Sequence, residues 1–300
     1  MLATFHGVIP PMLTAFHSDS SLDWEGNKLL IDHLIKGGVH GILVLGSSGE
    51  FDTLTADERK RLTEFVARHI NGRVPLLVGT GSCSTAEAID LSRHAERVGA
   101  DGVLVVTPYY WRLSEEKLYQ HYAAIARAVD IPVLLYHIPM LTNQPLPVQL
   151  VRRLALDFEN ILGIKATVDS VSYIGQLIRE VKAVKPQFAV LAGFDDHLFN
   201  TLAMGGDGAI PGTANVFPEI CVGLYESFRK GDFVQSQRLL RSLLPLLQLY
   251  DLDTPPMGIL KEACRQRGVR IEPHTRHGDG VPSAEKVDQI RKILQQVSVT

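Results

Sequence analysis

Cysteine is scarce in this sequence: Cys83, Cys221 and Cys264 are far apart and odd in number. They form neither a C-x-x-C pair nor a disulfide framework, which fits a reducing cytoplasm. An excess of one charge is also missing. Lys plus Arg number 30 against 33 Asp plus Glu, for a formal net charge of −3. Without a basic stripe, nucleic acid and anionic membrane are not expected partners. No apolar run approaches the ~18 residues of a membrane span. The stretch Met1 to His6 lacks the basic and then apolar order of a secretion signal. These absences point to a soluble cytoplasmic protein. Also missing is a G-x-G-x-x-G after the first apolar run, which argues against an open dinucleotide-binding sheet.

What is present is enough chain for a large core: 300 residues, 45% hydrophobic and 21% charged. Eight apolar runs recur, at 7–16, 41–47, 74–80, 102–108, 132–139, 161–168, 188–194 and 207–213. Most are near-continuously apolar and rich in Val, Ile and Leu, as parallel strands covered on both faces are. Amphipathic segments separate them. Thr55 with Glu58, and Ser84 with Glu87, fit the capping box at a helix start. Glycines at 37–38, 99 and 205–206 end helices and open strands, as left-handed caps do. Eight strand–helix units predict a (β/α)₈ TIM barrel over residues 1–229. Three helical patterns follow, at 231–249, 254–268 and 284–297, and predict a small C-terminal helical domain over 230–300.

Lys165 is the most informative residue, because, Asp207 at the very start of the eighth run apart, it is the single Asp, Glu, Lys or Arg in the strand runs. An ammonium ion is costly to bury, so a buried lysine is biased toward the free amine. That amine is the nucleophile that forms an imine with a ketone. Lys165 lies near the C-terminal end of its run, the end at which barrel side chains face the active site. The competing reading is a lysine that snorkels past the rim or pairs with a carboxylate. Tyr136 closes the preceding run and offers a phenol for proton transfer. A core tyrosine with its hydroxyl tied to the backbone is the plainer alternative.

Gly46-Ser47-Ser48-Gly49-Glu50 supplies N–H groups and two hydroxyls suited to a carboxylate, although a Gly/Ser turn is commonly only a turn. Thr107-Pro108-Tyr109-Tyr110-Trp111 marks either a pocket wall or interface, or local packing under the next helix. Asp195-Asp196-His197 invites a metal, but one Asp is more simply a helix N-cap. No second ligand cluster reads elsewhere, so no metal is expected. The glycines around Thr80 and Thr213 are a weaker candidate for facing a phosphate.

Taken together, GSSGE at 46–50, VTPYYW at 106–111, LYHIP at 135–139, GIKAT at 163–167, GFDDH at 193–197 and GGDGAI at 205–210 closely resemble one pattern. It is that of the dihydrodipicolinate synthase/N-acetylneuraminate lyase family of class I aldolases, and the resemblance covers nearly the whole chain. It implies Lys165 as the Schiff-base lysine and Tyr136 as the acid/base phenol. Ser47 and Ser48 would hold the pyruvyl carboxylate, with the Ser48 hydroxyl in a proton relay. Tyr110 would reach across a dimer interface to complete that relay in the neighbouring subunit, and Gly193 and Ile210 would line the pocket floor. It further implies pyruvate as the bound 2-oxo acid, a homotetramer built as a dimer of dimers, and neither metal nor organic cofactor.

The departures bear on the second substrate. Relatives that condense pyruvate with aspartate semialdehyde usually carry an Arg two residues after the LYxxP proline, where this chain has Leu141. Losing that charge-assisted pair removes on the order of 1.5–3 kcal/mol. His137 and Met140 also differ from the usual residues and predict a reshaped second-substrate pocket, and Pro211 is expected to alter it further. PYYW, DSVSYI and GFDDHLFNTLAMGGDGAI look most like the family's 2-keto-3-deoxygluconate aldolases. The rival readings are a dihydrodipicolinate synthase, a Schiff-base sugar-acid dehydratase, and a barrel that senses a 2-oxo acid without turning it over.

Overall fold

The computed structural model describes residues 5–278 and 280–298. The reading of the first residues as free of a secretion signal falls partly on residues 1–4, outside the described residues. Each of the eight apolar runs contains a strand: β1 (Gly7–Val8), β2 (Ile42–Val44), β3 (Leu76–Gly79), β4 (Gly102–Val106), β5 (Val133–His137), β6 (Ile161–Ala166), β7 (Ala189–Ala192) and β8 (Gly208–Ala209). All of their pairings are parallel, and each strand lies beside its sequence neighbours, with β1 against β8. A parallel bridge from Pro11 to Leu43 and the bond from the Met12 N–H to the Leu43 carbonyl (2.8 Å) carry the sheet round to β2. The expected TIM barrel is therefore present.

Alternation along the strands sorts side chains into two layers. Ile9, Leu43, Leu77, Leu104, Leu134, Leu191 and Ile210 fill the barrel interior. Val44, Val78, Val103, Leu135, Ile164 and Val190 point outward under the helices. Burying each such aliphatic side chain is worth roughly 1.5–3 kcal/mol. The doubly covered strands thus account for the unbroken apolar runs.

Thr55 and Glu58 form the expected reciprocal capping box. The second box is half formed. The Ser84 hydroxyl accepts from the Glu87 N–H, but the Glu87 carboxylate accepts from the Ser82 hydroxyl instead of reaching back to the helix start. Gly38, Gly99 and Gly205 take the left-handed conformation expected of them, with φ of 79°, 85° and 94°. Beyond the eighth strand unit lie the helices Phe233–Leu243, Met257–Gln266 and Ala284–Gln295, with a 3₁₀ turn at Leu244–Asp251. Leu243, Leu246, Leu249, Ile259 and Leu260 join the same buried cluster as the outward-facing barrel residues. Among the described residues no helix is long and apolar enough to cross a membrane.

Candidate active site

At the C-terminal ends of the strands lies a cavity of about 870 Å³. Lys165 and Tyr136 each stand one residue from the end of their strand and pair in register, with Leu191 of β7 on the other side of Lys165. Period-two alternation turns both side chains into the barrel, where they are 4% and 3% exposed. The Lys165 Nζ sits 4.4 Å from the centre of the Tyr136 ring. The Tyr136 hydroxyl lies 3.4 Å from the Ser47 Oγ. This is a long contact, of the kind that tightens when substrate arrives. The hydroxyl expected beside Tyr136 was that of Ser48, whereas the contact in the structure is with Ser47.

The GSSGE turn is built under backbone strain. Ser47–Gly49 form one 3₁₀ turn, with left-handed residues on both sides, Leu45 (φ 60°) and Glu50 (φ 55°). A non-glycine residue in that region costs on the order of 1–3 kcal/mol. The Thr14 hydroxyl holds the Gly49 carbonyl at 2.7 Å. Ser47 and Ser48 both line the cavity.

Gly193 and Ile210 line it as expected. Gly193 must be glycine for steric reasons, since a Cβ there would stand 1.8 Å from the Thr167 Oγ1. Thr167 was not anticipated. The residue lines the same cavity, and its buried hydroxyl, packed against Gly193, has no hydrogen-bond partner among the described residues. The signal was available, because Thr167 is two residues beyond Lys165 and so on the same face.

Other expectations are corrected. His137 does not line the cavity: alternation turns it outward, where Nε2 accepts from the Leu146 N–H at 3.2 Å and the ring lies 4.9 Å from Tyr173. Asp195 caps no helix. It is buried, and its carboxylate accepts from the Thr213 N–H at 2.7 Å and from the Thr213 hydroxyl. The Tyr250 hydroxyl donates to the same carboxylate at 3.4 Å. Burial pushes the Asp195 carboxyl up. Burial, and then the charge of Asp195, raise the Tyr250 phenol well above its ordinary range. Thr213 is thus consumed by Asp195, and the Thr80 hydroxyl by Ser92 at 2.8 Å. Neither faces the cavity, and nor does Pro211, although its neighbours Ile210 and Gly212 do. Tyr110 and Trp111 are 79% and 74% exposed and stand away from the cavity of their own chain. Met140 and Leu141 line the mouth. No local pattern marked Tyr250, which reaches the cavity from a segment well beyond the barrel strands.

His137 and His121 make stability pH-dependent. Burial pushes both imidazoles down to about 4. Below about pH 6.5 the unfolded chain takes up protons at these positions that the folded protein binds only near pH 4. Stability is therefore unaffected above that window and falls as pH drops through it, by on the order of 2–3 kcal/mol per histidine. Thermal denaturation at pH 7.5 and 4.5 checks this. The acid loss in Tm is expected to shrink in H137Q, and an equal loss in the variant would contradict the assignment.

A buried amine beside a phenol and a serine turn, at the C-terminal mouth of a parallel barrel, defines a class of enzyme: lyases that carry a 2-oxo acid on a lysine. The comparisons agree. The chain belongs to the dihydrodipicolinate synthetase family, whose model matches residues 4–297. YagE of Escherichia coli (strain K12), provisionally named a 2-dehydro-3-deoxy-D-gluconate aldolase, is 44% identical over 99% of this chain and 98% of its own. YjhH of the same organism, provisionally named a 2-dehydro-3-deoxy-D-pentonate aldolase, is 42% identical over 97% of this chain and 96% of its own. The crystal structure of YagE in complex with pyruvate superposes with a TM-score of 0.97 at 43% identity, covering 99% of this chain and all of that one. Dihydrodipicolinate synthase from Thermotoga maritima gives 0.93 at 32% identity, covering 99% and 100%.

Proposed function

We propose that this protein reversibly cleaves an unphosphorylated 2-keto-3-deoxy sugar acid to pyruvate and an aldehyde. The observation that carries the reading is the make-up of the cavity. Lys165 is the single Lys or Arg among its described lining residues, while Asp169, Asp195, Asp196 and Asp253 are all among them. Asp253 is paired with Lys286 at 2.7 Å and Asp195 is engaged by Thr213, so Asp169 and Asp196 face the incoming tail. Such carboxylates suit the hydroxyls of a sugar chain. A second carboxylate or a phosphate would meet like charge there. Leu141, in place of a guanidinium, supports the same conclusion.

The 2-oxo acid carboxylate docks on the Ser47–Ser48 turn, and the Lys165 amine attacks C2. The Tyr136 phenol gives its proton to the hydroxyl that departs as water, and the resulting imine, in its protonated form, draws electrons from the C3–C4 bond. Tyr136 accepts the proton of the C4 hydroxyl as that bond breaks, releasing the aldehyde. The enamine left on Lys165 is protonated at C3, and water then releases pyruvate.

Residues 1–229 are the catalytic barrel and 230–300 a small helical domain packed against it. The exposure of Tyr110 suits a residue that enters a partner's site, in a homotetramer working in the cytoplasm. The test is pyruvate release from D-2-keto-3-deoxygluconate, coupled to lactate dehydrogenase. The 6-phosphate and the pair pyruvate plus aspartate semialdehyde are run alongside. Release is expected, with the phosphorylated substrate at least about tenfold poorer in kcat/KM and no condensation. Preference for the phosphate, or condensation alone, would overturn the proposal.

A further inference from the structure

Glu50 carries the one GSSGE side chain that the mechanism leaves unused, and it is fully buried. Its carboxylate pairs with the Lys261 ammonium, which is also fully buried. It also accepts from the Thr275 hydroxyl at 2.5 Å and from the Arg276 N–H at 2.9 Å. Lys261 belongs to the helix Met257–Gln266, whose first residue and preceding prolines line the substrate cavity. Its Nζ donates a second bond to the His274 carbonyl at 2.7 Å. At the other end of Glu50, the backbone N–H donates to the Ser47 carbonyl at 3.0 Å, closing the turn that carries the two serines. Arg276 holds the following turn, Phe51–Thr53, through the Thr53 carbonyl at 3.0 Å.

A buried ion pair is weak evidence for stability, since desolvation offsets most of the attraction, and apolar pairs of similar volume often do as well. In some proteins such a pair instead fixes the register of the elements it joins. Here the left-handed strain at Glu50 makes the turn prone to relax unless its side chain is anchored. We propose that the Glu50–Lys261 pair is a positioning device. It holds the Ser47–Ser48 turn in carboxylate-binding geometry and fixes that turn relative to the wall at Pro256 and Met257. Glu50 and Lys261 are thus positioning residues for the 2-oxo acid, and the inference rests on the carboxylate-docking role given to Ser47 and Ser48 above.

The test is trapping of pyruvate on the protein with borohydride as a function of pyruvate concentration, together with Tm, for wild type, E50Q and the double variant E50Q/K261M. The double variant leaves no unpaired charge buried and keeps the shapes of both side chains. Half-saturation by pyruvate is expected to rise at least tenfold in E50Q and to stay raised in E50Q/K261M, even where the double variant recovers its Tm. A double variant that folds and traps pyruvate within twofold of the wild-type half-saturation would overturn the positioning role, whatever its Tm. Absence of any adduct in wild type would instead sink the imine reading on which the inference rests, so the two failures are distinguishable.

Discussion

Replacing Lys165 with alanine is expected to abolish turnover, by on the order of 10⁴-fold or more, while leaving the fold intact. Among the described residues no other that lines the cavity offers an amine, so none of them can take over imine formation. The fold is expected to survive because Lys165 enters no salt bridge among the described residues, and its side chain borders a cavity that water can enter. Pyruvate release and borohydride trapping followed by mass spectrometry check both halves. The variant should give neither product nor adduct, with a circular-dichroism spectrum like that of wild type. K165R adds a control, since it keeps a long basic side chain but not the nucleophile, and should be as inactive. An unchanged rate in K165A would end the mechanism proposed here.

The second large effect is expected for Tyr136→Phe. A positioned general acid and base contributes about 10²–10⁴-fold; the Tyr136 ring lies 4.4 Å from the Lys165 amine and its hydroxyl 3.4 Å from that of Ser47. Phenylalanine keeps the ring against which the amine lies, so packing and imine geometry are retained and only the proton carrier is lost. kcat should therefore fall by two orders of magnitude or more with little change in KM, because the hydroxyl acts on the breaking bond more than on docking. Pyruvate should still be trapped on Lys165, although more slowly. A kcat within threefold of wild type would show that another group carries the proton.

Much of the barrel was legible because its strands are covered on both faces and so must be apolar throughout. Lys165 stood out against that background, since a charge in such a run needs a chemical reason. Tyr136 and His137 show the limit of reading a motif without its period. Both lie in LYHIP, but only alternate residues enter the barrel, and His137 belongs to the outer layer with Tyr173. The same period would have found Thr167. The half-formed box at Ser84 and the uncapped helix after Asp195 failed for a different reason. In each case a carboxylate of the expected type found a tertiary partner better placed than the local one.

By itself, the sequence determined the strand–helix repeat, the lysine and the phenol at the ends of adjacent strands, and the serine turn. Each rests on local chemistry or on a periodicity of a few residues. Only the tertiary structure decided which residues share the cavity with Lys165, that Tyr250 and Met257 form its distant wall, and that Glu50 is held by Lys261. Those contacts join positions separated by much of the chain, 211 residues in the case of Glu50 and Lys261. A burial pattern read along one segment carries no information about a partner that far away. Packing of the last helices against the barrel brings them together.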